Sequence, residues 1–253
     1  MLKGKRFHRN PEHIKSIYQP IREDVLARLG SLNFDQYCFD VSYIEPRWNL
    51  YRNKILFGFE REIRLRRLNY LVSYVGSAGL TNIVEIGSGD GSNIIFLAER
   101  FRDKNFFGLE LSKTSVELSK AAAKKFGLTN VKFFEADLSD PQTFCSRIDS
   151  KSLVFSLHCL EEMPRIFKIP LKILNANEVP KIVLLEPIVF FKLQRFFLDL
   201  ARLVRIFHHD RLFGLLRFCR RFMSSHYHIE YIDLGMGTNP VNPTSLLVLT
   251  RKK

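Results

Sequence analysis

The hydrophobic pattern is most regular in the middle of the chain. Asn82-Ile-Val-Glu-Ile86, Phe106-Phe-Gly-Leu-Glu-Leu111, Val131-Lys-Phe-Phe-Glu-Ala136, Ser152-Leu-Val-Phe-Ser-Leu157 and Lys181-Ile-Val-Leu-Leu-Glu186 are apolar runs of strand length. Helical spacing separates them. Ile94, Ile95, Leu97, Ala98 and Phe101 follow the first run, and Ser112 is an N-cap for a helix over 115–126 that Gly127 ends. Asp140-Pro141 has the form of a helix start, and 161–174 predicts a helix beyond Pro164. Five such alternations, with strands apolar on both faces, predict a parallel sheet covered by helices on both sides. Right-handed crossovers then bring all the carboxyl ends of the strands to one edge, where ligands bind in such sheets.

The flanks follow other patterns. Residues 1–78 read as a mainly helical extension, with apolar residues at three- and four-residue spacing from Ile55 to Tyr74. Tyr43 to Tyr51 mixes polar and aromatic residues in the manner of a binding cover, although packing of Trp48 on the core is the simpler expectation. Residues 79–253 form the main domain, in which 189–226 is a helical, basic and aromatic insertion between the fifth and sixth strands. Tyr227 to Leu234 and Ser245 to Thr250 are two further strands with no helix between them, so they should pair antiparallel at the sheet edge. The predicted fold is therefore α/β and doubly wound, with a mostly parallel seven-stranded sheet and an antiparallel edge strand.

Composition narrows the class. The 253 residues are 46% hydrophobic, which is enough for one substantial core and excludes a disordered chain. Cys38, Cys145, Cys159 and Cys219 show no metal-ligand or redox spacing and read as reduced thiols, so the expectation is no metal site and a cytoplasmic protein. The basic amino terminus lacks an apolar segment behind it, so no signal peptide is expected. The most apolar stretch, 182–200, is interrupted by Glu186, Lys192, Arg195 and Asp199, which excludes a spanning helix there.

Charge adds an asymmetry. The net charge is +13, yet residues 81–188 carry 14 basic and 14 acidic side chains. The surplus lies on the two flanks, which points to an anionic partner for the flanks alone. From Val189 to Phe222 there are eight Lys/Arg, two Asp and eight Phe. As a helix, Phe196, Leu200, Leu203 and Phe207 form an apolar stripe, which suits either an anionic membrane surface or an ordinary cap on the sheet. An RNA surface is less favoured because no RNA-binding module is visible. The adjacent His208, His209 and Asp210 point to different helix faces and do not read as a metal site.

Candidate chemistry gathers at the predicted edge. Glu85-Ile-Gly87-Ser88-Gly89-Asp-Gly91 follows the first strand and opens its helix, where glycines allow a tight turn and close approach of backbone amides to a ligand. The spacing is G-x-G-x-G behind an acid, which suits a ligand with an amino group better than a pyrophosphate. Glu110 ends the second strand, where a carboxylate can accept hydrogen bonds from both hydroxyls of a ribose. Asp137 ends the third, placed to accept from an adenine amino group, with Leu138 available to pack on the base.

With Gly108-Leu-Glu-Leu-Ser112, Phe134-Glu-Ala-Asp137, the strand to Leu157-His158 and Leu184-Leu-Glu-Pro187, this set resembles the class I, seven-stranded S-adenosylmethionine-dependent methyltransferases. The resemblance covers about residues 79–188 and the closing strand pair. It implies S-adenosyl-L-methionine as cofactor, held by Glu85, Gly87, Ser88, Gly89, Gly91, Glu110, Leu111, Asp137, Leu138 and Ser156. It implies that Glu85 lies near the methionine amino group, Glu110 at the ribose and Asp137 at the adenine.

The segment after the fourth strand, Phe155-Ser-Leu-His-Cys-Leu-Glu-Glu-Met-Pro164, faces the methyl acceptor in that family. It has no Asn/Asp-Pro-Pro-aromatic motif, no Pro-Cys nucleophile and no metal-binding acid at the strand end. These absences favour a small-molecule acceptor, oxygen over nitrogen, in the range of a sugar, a lipid-linked intermediate or a secondary metabolite. His158 is the candidate general base, set against a role in binding alone. An RNA methyltransferase using the basic flanks, and a cofactor-binding accessory protein without activity, are the alternatives.

Overall fold

A computed structural model describes residues 11–40, 46–163, 166–188, 214–240 and 242–252. Two short flanking strands come first, β1 (Trp48–Tyr51) and β2 (Lys54–Phe57), set among the helices α1 (Pro11–Arg28), α2 (Phe34–Phe39) and α3 (Glu60–Ser77). The main sheet then alternates: β3 (Asn82–Ile86), α4 (Ser92–Arg100), β4 (Asn105–Glu110), α5 (Lys113–Lys125), β5 (Val131–Glu135), β6 (Ser152–Leu157), α6 (Lys168–Ala176) and β7 (Lys181–Glu186). It closes with α7 (Leu215–Phe222), β8 (Tyr227–Met236) and β9 (Thr244–Arg251). The seven strands lie in the order β5-β4-β3-β6-β7-β9-β8. All pairs are parallel up to β7, β9 runs antiparallel to β7, and β8 antiparallel to β9. This is the doubly wound, seven-stranded sheet expected.

Burial explains the order. β6 and β7 are buried at nearly every position, as strands covered on both faces must be. β8, on the edge, is buried alternately along its first half. Successive residues of the inner strands feed two separate cores. Ile83, Phe106, Leu153, Phe155, Val183 and Leu185 pack with α4, α5 and the amino-terminal helices. Val84, Leu109, Val154, Ile182 and Leu184 pack with Phe167, Leu171 and Leu174 of the α6 region and with Leu215 and Phe218 of α7. The amino-terminal extension thus forms part of the layer on one face, through Val25, Leu29, Tyr37, Cys38, Leu68 and Leu71.

Local signals hold where they are strongest. Ser112 caps α5 by accepting from the Ser115 amide at 3.3 Å, Lys124 and Lys125 sit in its last turn, and Gly127 takes φ +64° beyond it. Two expectations are corrected, and one element is added. Within the mainly helical extension, β1 and β2 form a hairpin whose two turn residues, Arg52 and Asn53, both adopt left-handed backbone (φ +51° and +61°). Trp48 does not pack on the core and is 62% exposed. Asp140-Pro141 opens only short 3-10 turns, because the Thr143 hydroxyl and the Asp137 and Asp140 side chains bond to nearby backbone and compete with a helix ladder.

Of the insertion, 189–213 and with it His208, His209 and Asp210 lie outside the described residues. Its described part, α7, buries Leu215, Leu216, Phe218 and Cys219 on the sheet and turns Arg217, Arg220 and Arg221 outward. That turn of the basic stretch is a cap on the sheet.

Arg64 joins the extension to the sheet layer. It is buried, and its guanidinium donates to the Cys38 carbonyl and the Ser92 hydroxyl, both at 2.5 Å. Arg64→Met strands that carbonyl and should lower stability by about 1–3 kcal/mol, read as a shift in the urea midpoint with little change in slope.

Candidate functional site

The turn from β3 into α4 is built from backbone that side chains disfavour. Gly87, Gly89 and Gly91 take φ of +68°, +56° and +74°. Space forbids a side chain as well: a Cβ on Gly87 would overlap the Cys159 sulfur, and one on Gly91 would lie 2.6 Å from the Ser119 hydroxyl and 2.8 Å from the Phe133 ring. Gly89 has only Arg22 near its missing Cβ, at 3.7 Å.

Asp90 holds this turn in place. One carboxylate oxygen accepts from the Ser92 amide at 3.1 Å, at the first residue of α4. The other pairs with Arg22 of α1 at 2.8 Å, both side chains being largely buried. The Tyr37 hydroxyl of α2 donates to the Asp90 carbonyl. Sequence reasoning did not assign Asp90, Arg22 or Tyr37. An acid before a helix start was a legible signal for Asp90, whereas Arg22 and Tyr37 lie 68 and 53 residues away and carry none.

The acids named from sequence stand at the strand ends around the turn. Glu85 is fully buried; its Oε1 accepts from the Asn93 side-chain nitrogen Nδ2 at 2.9 Å, and its Oε2 has no hydrogen-bond partner among the described residues. Burial pushes its pKa up to about 8, against the lowering effect of Asn93. Glu110 accepts from the Gly89 amide through Oε2 and from the Ser112 amide through Oε1, each at 3.0 Å, so it ties β4 to the glycine turn. Burial raises its pKa while those two amides lower it. Asp137 uses Oδ1 for the Ser139 amide and hydroxyl at 2.8 and 2.7 Å, which leaves Oδ2 for another donor.

The remaining positions divide. Leu111 is half-buried and belongs to neither core cluster, whereas Leu138 is packed into the core with Phe144 and Leu160. Ser88 is buried with its hydroxyl unpartnered among the described residues. Ser156 is fully buried and donates to Glu186 at 2.7 Å, so its hydroxyl is committed within the protein.

These features fit an adenosyl ligand with an amino group. An enclosed, unpartnered carboxylate oxygen suits an N–H donor, the glycine turn removes side chains from the approach, and Glu110, Leu111 and Asp137 add acceptors and an apolar side chain on the neighbouring strand ends. Gly87, Gly89 and Gly91 with Glu85, Glu110, Leu111 and Asp137 could hold it.

Beside this set, the loop after β6 carries His158 in left-handed backbone at φ +56°, unusual for a residue with a Cβ. Its Nδ1 lies 2.5 Å from Glu161 Oε1 and its Nε2 lies 2.8 Å from the Thr244 hydroxyl. Asn242 donates to both oxygens of Glu161, at 3.2 and 2.9 Å. Glu186, at the end of β7, clamps the loop: it accepts from the amides of Cys159, Leu160 and Glu161 at 3.0, 3.0 and 3.2 Å, besides Ser156. Burial and the charge of Glu161 push its pKa up to about 7. Thr244 and Asn242 were not read from sequence, because their proximity exists only once β9 folds beside β7.

Residues 83–176 match the family described as "Methyltransferase domain". A tRNA (guanine-N(7)-)-methyltransferase of Aquifex aeolicus is 55% identical over 49 residues, 19% of this chain and 16% of that protein. The release factor glutamine methyltransferase of Bacillus subtilis is 24% identical over 137 residues, 51% of this chain and 47% of that protein. The chain thus matches less than half the length of these curated relatives. Among solved structures, magnesium protoporphyrin IX methyltransferase of Synechocystis PCC 6803, crystallised with bound SAH, superposes with a TM-score of 0.57 at 15% identity, over 92% of this chain and all of that one.

Removing Arg22 should leave the Asp90 carboxylate enclosed without its cation. Arg22→Ala is expected to cost about 3–5 kcal/mol, and adding Asp90→Asn to recover part of the loss. A double-mutant cycle in urea reads the coupling; additive losses would mean that the pair does not hold the turn.

Proposed function

We propose that this chain is a class I, seven-stranded S-adenosylmethionine-dependent methyltransferase and that it transfers a methyl group from that cofactor to a hydroxyl of a small molecule, a reading supported by the family match and by the fold. The observation that supports the cofactor half is that Glu85, Glu110 and Asp137 stand at or just beyond the carboxyl ends of three neighbouring strands, around a turn in which Gly87 and Gly91 leave no room for a Cβ. When bound, the cofactor supplies a methyl group activated by its sulfonium sulfur. Glu85 receives the methionine amino group, Glu110 the ribose hydroxyls and Asp137 Oδ2 the adenine amino group, with Leu111 against the base.

The acceptor half rests on His158. A carboxylate can only accept, so Glu161 keeps a hydrogen on Nδ1 and leaves the Nε2 lone pair facing the buried Thr244 hydroxyl. An acceptor hydroxyl replacing Thr244 at Nε2 gives up its proton there, while Glu161 stabilises the imidazolium that forms. The acceptor class is a sugar, a lipid-linked intermediate or a secondary metabolite. A second reading, methylation of RNA, draws on the short match to a tRNA methyltransferase and on the basic flanks.

A screen of small hydroxylated compounds and of RNA with methyl-labelled cofactor separates the two. Label in a small molecule supports the proposal, and label in RNA alone overturns it. His158→Gln should reduce kcat by about 10²–10⁴-fold while leaving cofactor affinity unchanged. An unchanged rate would remove the base and leave alignment as the source of catalysis. Asp137→Ala should weaken cofactor binding by about 10–100-fold in calorimetry.

Glu85 gives a pH signature. With its pKa at about 8, it is mostly protonated in the folded protein at neutral pH. An ammonium group brought beside it favours the carboxylate, so cofactor binding near pH 7 releases a proton. The binding enthalpy should then vary with the ionisation enthalpy of the buffer, and Glu85→Gln should abolish that variation.

A further inference from the structure

The β1–β2 hairpin has no role in the site described above, yet it carries the most exposed large apolar side chains apart from Phe222 among the described residues. Trp48, Phe57 and Ile55 are 62%, 56% and 52% exposed, and Phe59 follows at 36%. Trp48 pairs with Phe57 across the ladder and Ile55 stands two residues before Phe57, so these three side chains share one face of the hairpin, while Leu50, opposite Ile55, is fully buried. Around them stand Arg47, Arg52 and Lys54, all exposed, and residues 46–59 contain no Asp or Glu. Of the acids that touch the hairpin, Glu60 is buried and accepts from the Arg47 amide and the Asn49 side chain, and Glu62 accepts from the Tyr51 hydroxyl, on the strand position next to Leu50 and so on the opposite face from Trp48.

The hairpin is held firmly and at a telling place. Leu50 exchanges two backbone hydrogen bonds with Gly237, at 2.9 and 2.8 Å, and the Asn53 amide donates to Gly235 at 3.0 Å. Since β8 runs in the same direction as β7, Gly237 lies at the carboxyl edge of the sheet. That edge also bears the glycine turn, Glu110, Asp137 and the Thr244 that meets His158. The hairpin therefore projects from the edge where ligands enter.

We propose that this hairpin docks the carboxyl edge of the sheet onto an anionic phospholipid bilayer. Aromatic and aliphatic side chains beside Arg and Lys, on a segment that itself carries no carboxylate, match a membrane interface: rings and Ile55 enter the headgroup region while the cations meet lipid phosphates. The Trp48 and Phe57 rings pack against each other at 64°, with centroids 5.4 Å apart, so they present no parallel platform for stacked bases, which disfavours RNA as the occupant. Docking would turn the acceptor side toward the membrane surface and suits an amphiphilic acceptor. The docking itself rests on the hairpin alone and does not require the methyl-transfer reading.

Trp48 is the only tryptophan of the chain, so its fluorescence reports on the hairpin directly. The test uses the whole 253-residue chain with vesicles of phosphatidylcholine alone, or with about 30% phosphatidylglycerol, a fraction that gives the surface a negative potential. Expected are flotation with the anionic vesicles only, a blue shift of Trp48 emission, and quenching by brominated acyl chains. Arg52→Gln with Lys54→Gln should weaken partitioning by about 25-fold. Ile55→Ser with Phe57→Ser should weaken it at least about tenfold, with only a small change in melting temperature because both side chains are about half exposed.

Several results would overturn the proposal. These are flotation without a change at Trp48, equal flotation of the variants, or a large loss of melting temperature in Ile55→Ser/Phe57→Ser, which would mean that the face is packed within the chain. Trp48 quenching by RNA without vesicle binding, or by self-association of the protein alone, would do the same. Calorimetry of cofactor binding in the same variants should be unchanged, which keeps failure of docking separate from failure of the proposed activity.

Discussion

The turn joining β3 to α4 is the constraint on which the carboxyl edge depends. Within five residues the backbone is left-handed three times, and at Gly87 and Gly91 other elements already fill the space of a side chain. Only glycine meets both conditions at once. The turn is then pinned from several sides: Asp90 by Arg22 and Tyr37 of the amino-terminal helices, and the Gly89 amide by Glu110 of β4. The extension is consequently part of the site's support as well as part of one layer of the fold.

Two buried carboxylates at this edge illustrate how surroundings divide similar residues. Glu85 and Glu186 end strands that both flank β6, and burial moves both pKa values toward neutrality, to about 8 and about 7. Glu186 is satisfied within the protein by three amides and a hydroxyl, and so acts as a clamp on the His158 loop. Glu85 has Asn93 alone and keeps one oxygen unpartnered among the described residues. An enclosed acceptor of that kind is costly for the empty protein, which is the physical reason to associate it with a ligand donor. The same contrast separates Asp137, with an open oxygen, from Ser156, whose hydroxyl is already committed.

Much of this was legible in the sequence. Strand runs apolar on both faces, the Ser112 cap and the glycine cluster are local or periodic signals, and they led to the sheet, its order of elements and the strand-end acids. The hairpin was not legible, because four-residue strands are too short to show alternation and Arg52-Asn53 is a less distinctive turn than one ending in glycine. The exposure of Trp48 was unreadable for a related reason: an isolated tryptophan says nothing about which side of a two-stranded ribbon is covered.

The sequence by itself determined what its short-range chemistry could encode, namely the α/β alternation, the glycine turn, the acids at the ends of β3, β4 and β5, and a neutral centre between basic flanks. Tertiary structure alone decided the partners of those residues. Arg22 reaches Asp90, Thr244 reaches His158, and Leu138 turns into the core while Leu111 stays outside it. These contacts join elements dozens of residues apart, and they exist only because two buried faces of one sheet must be filled together.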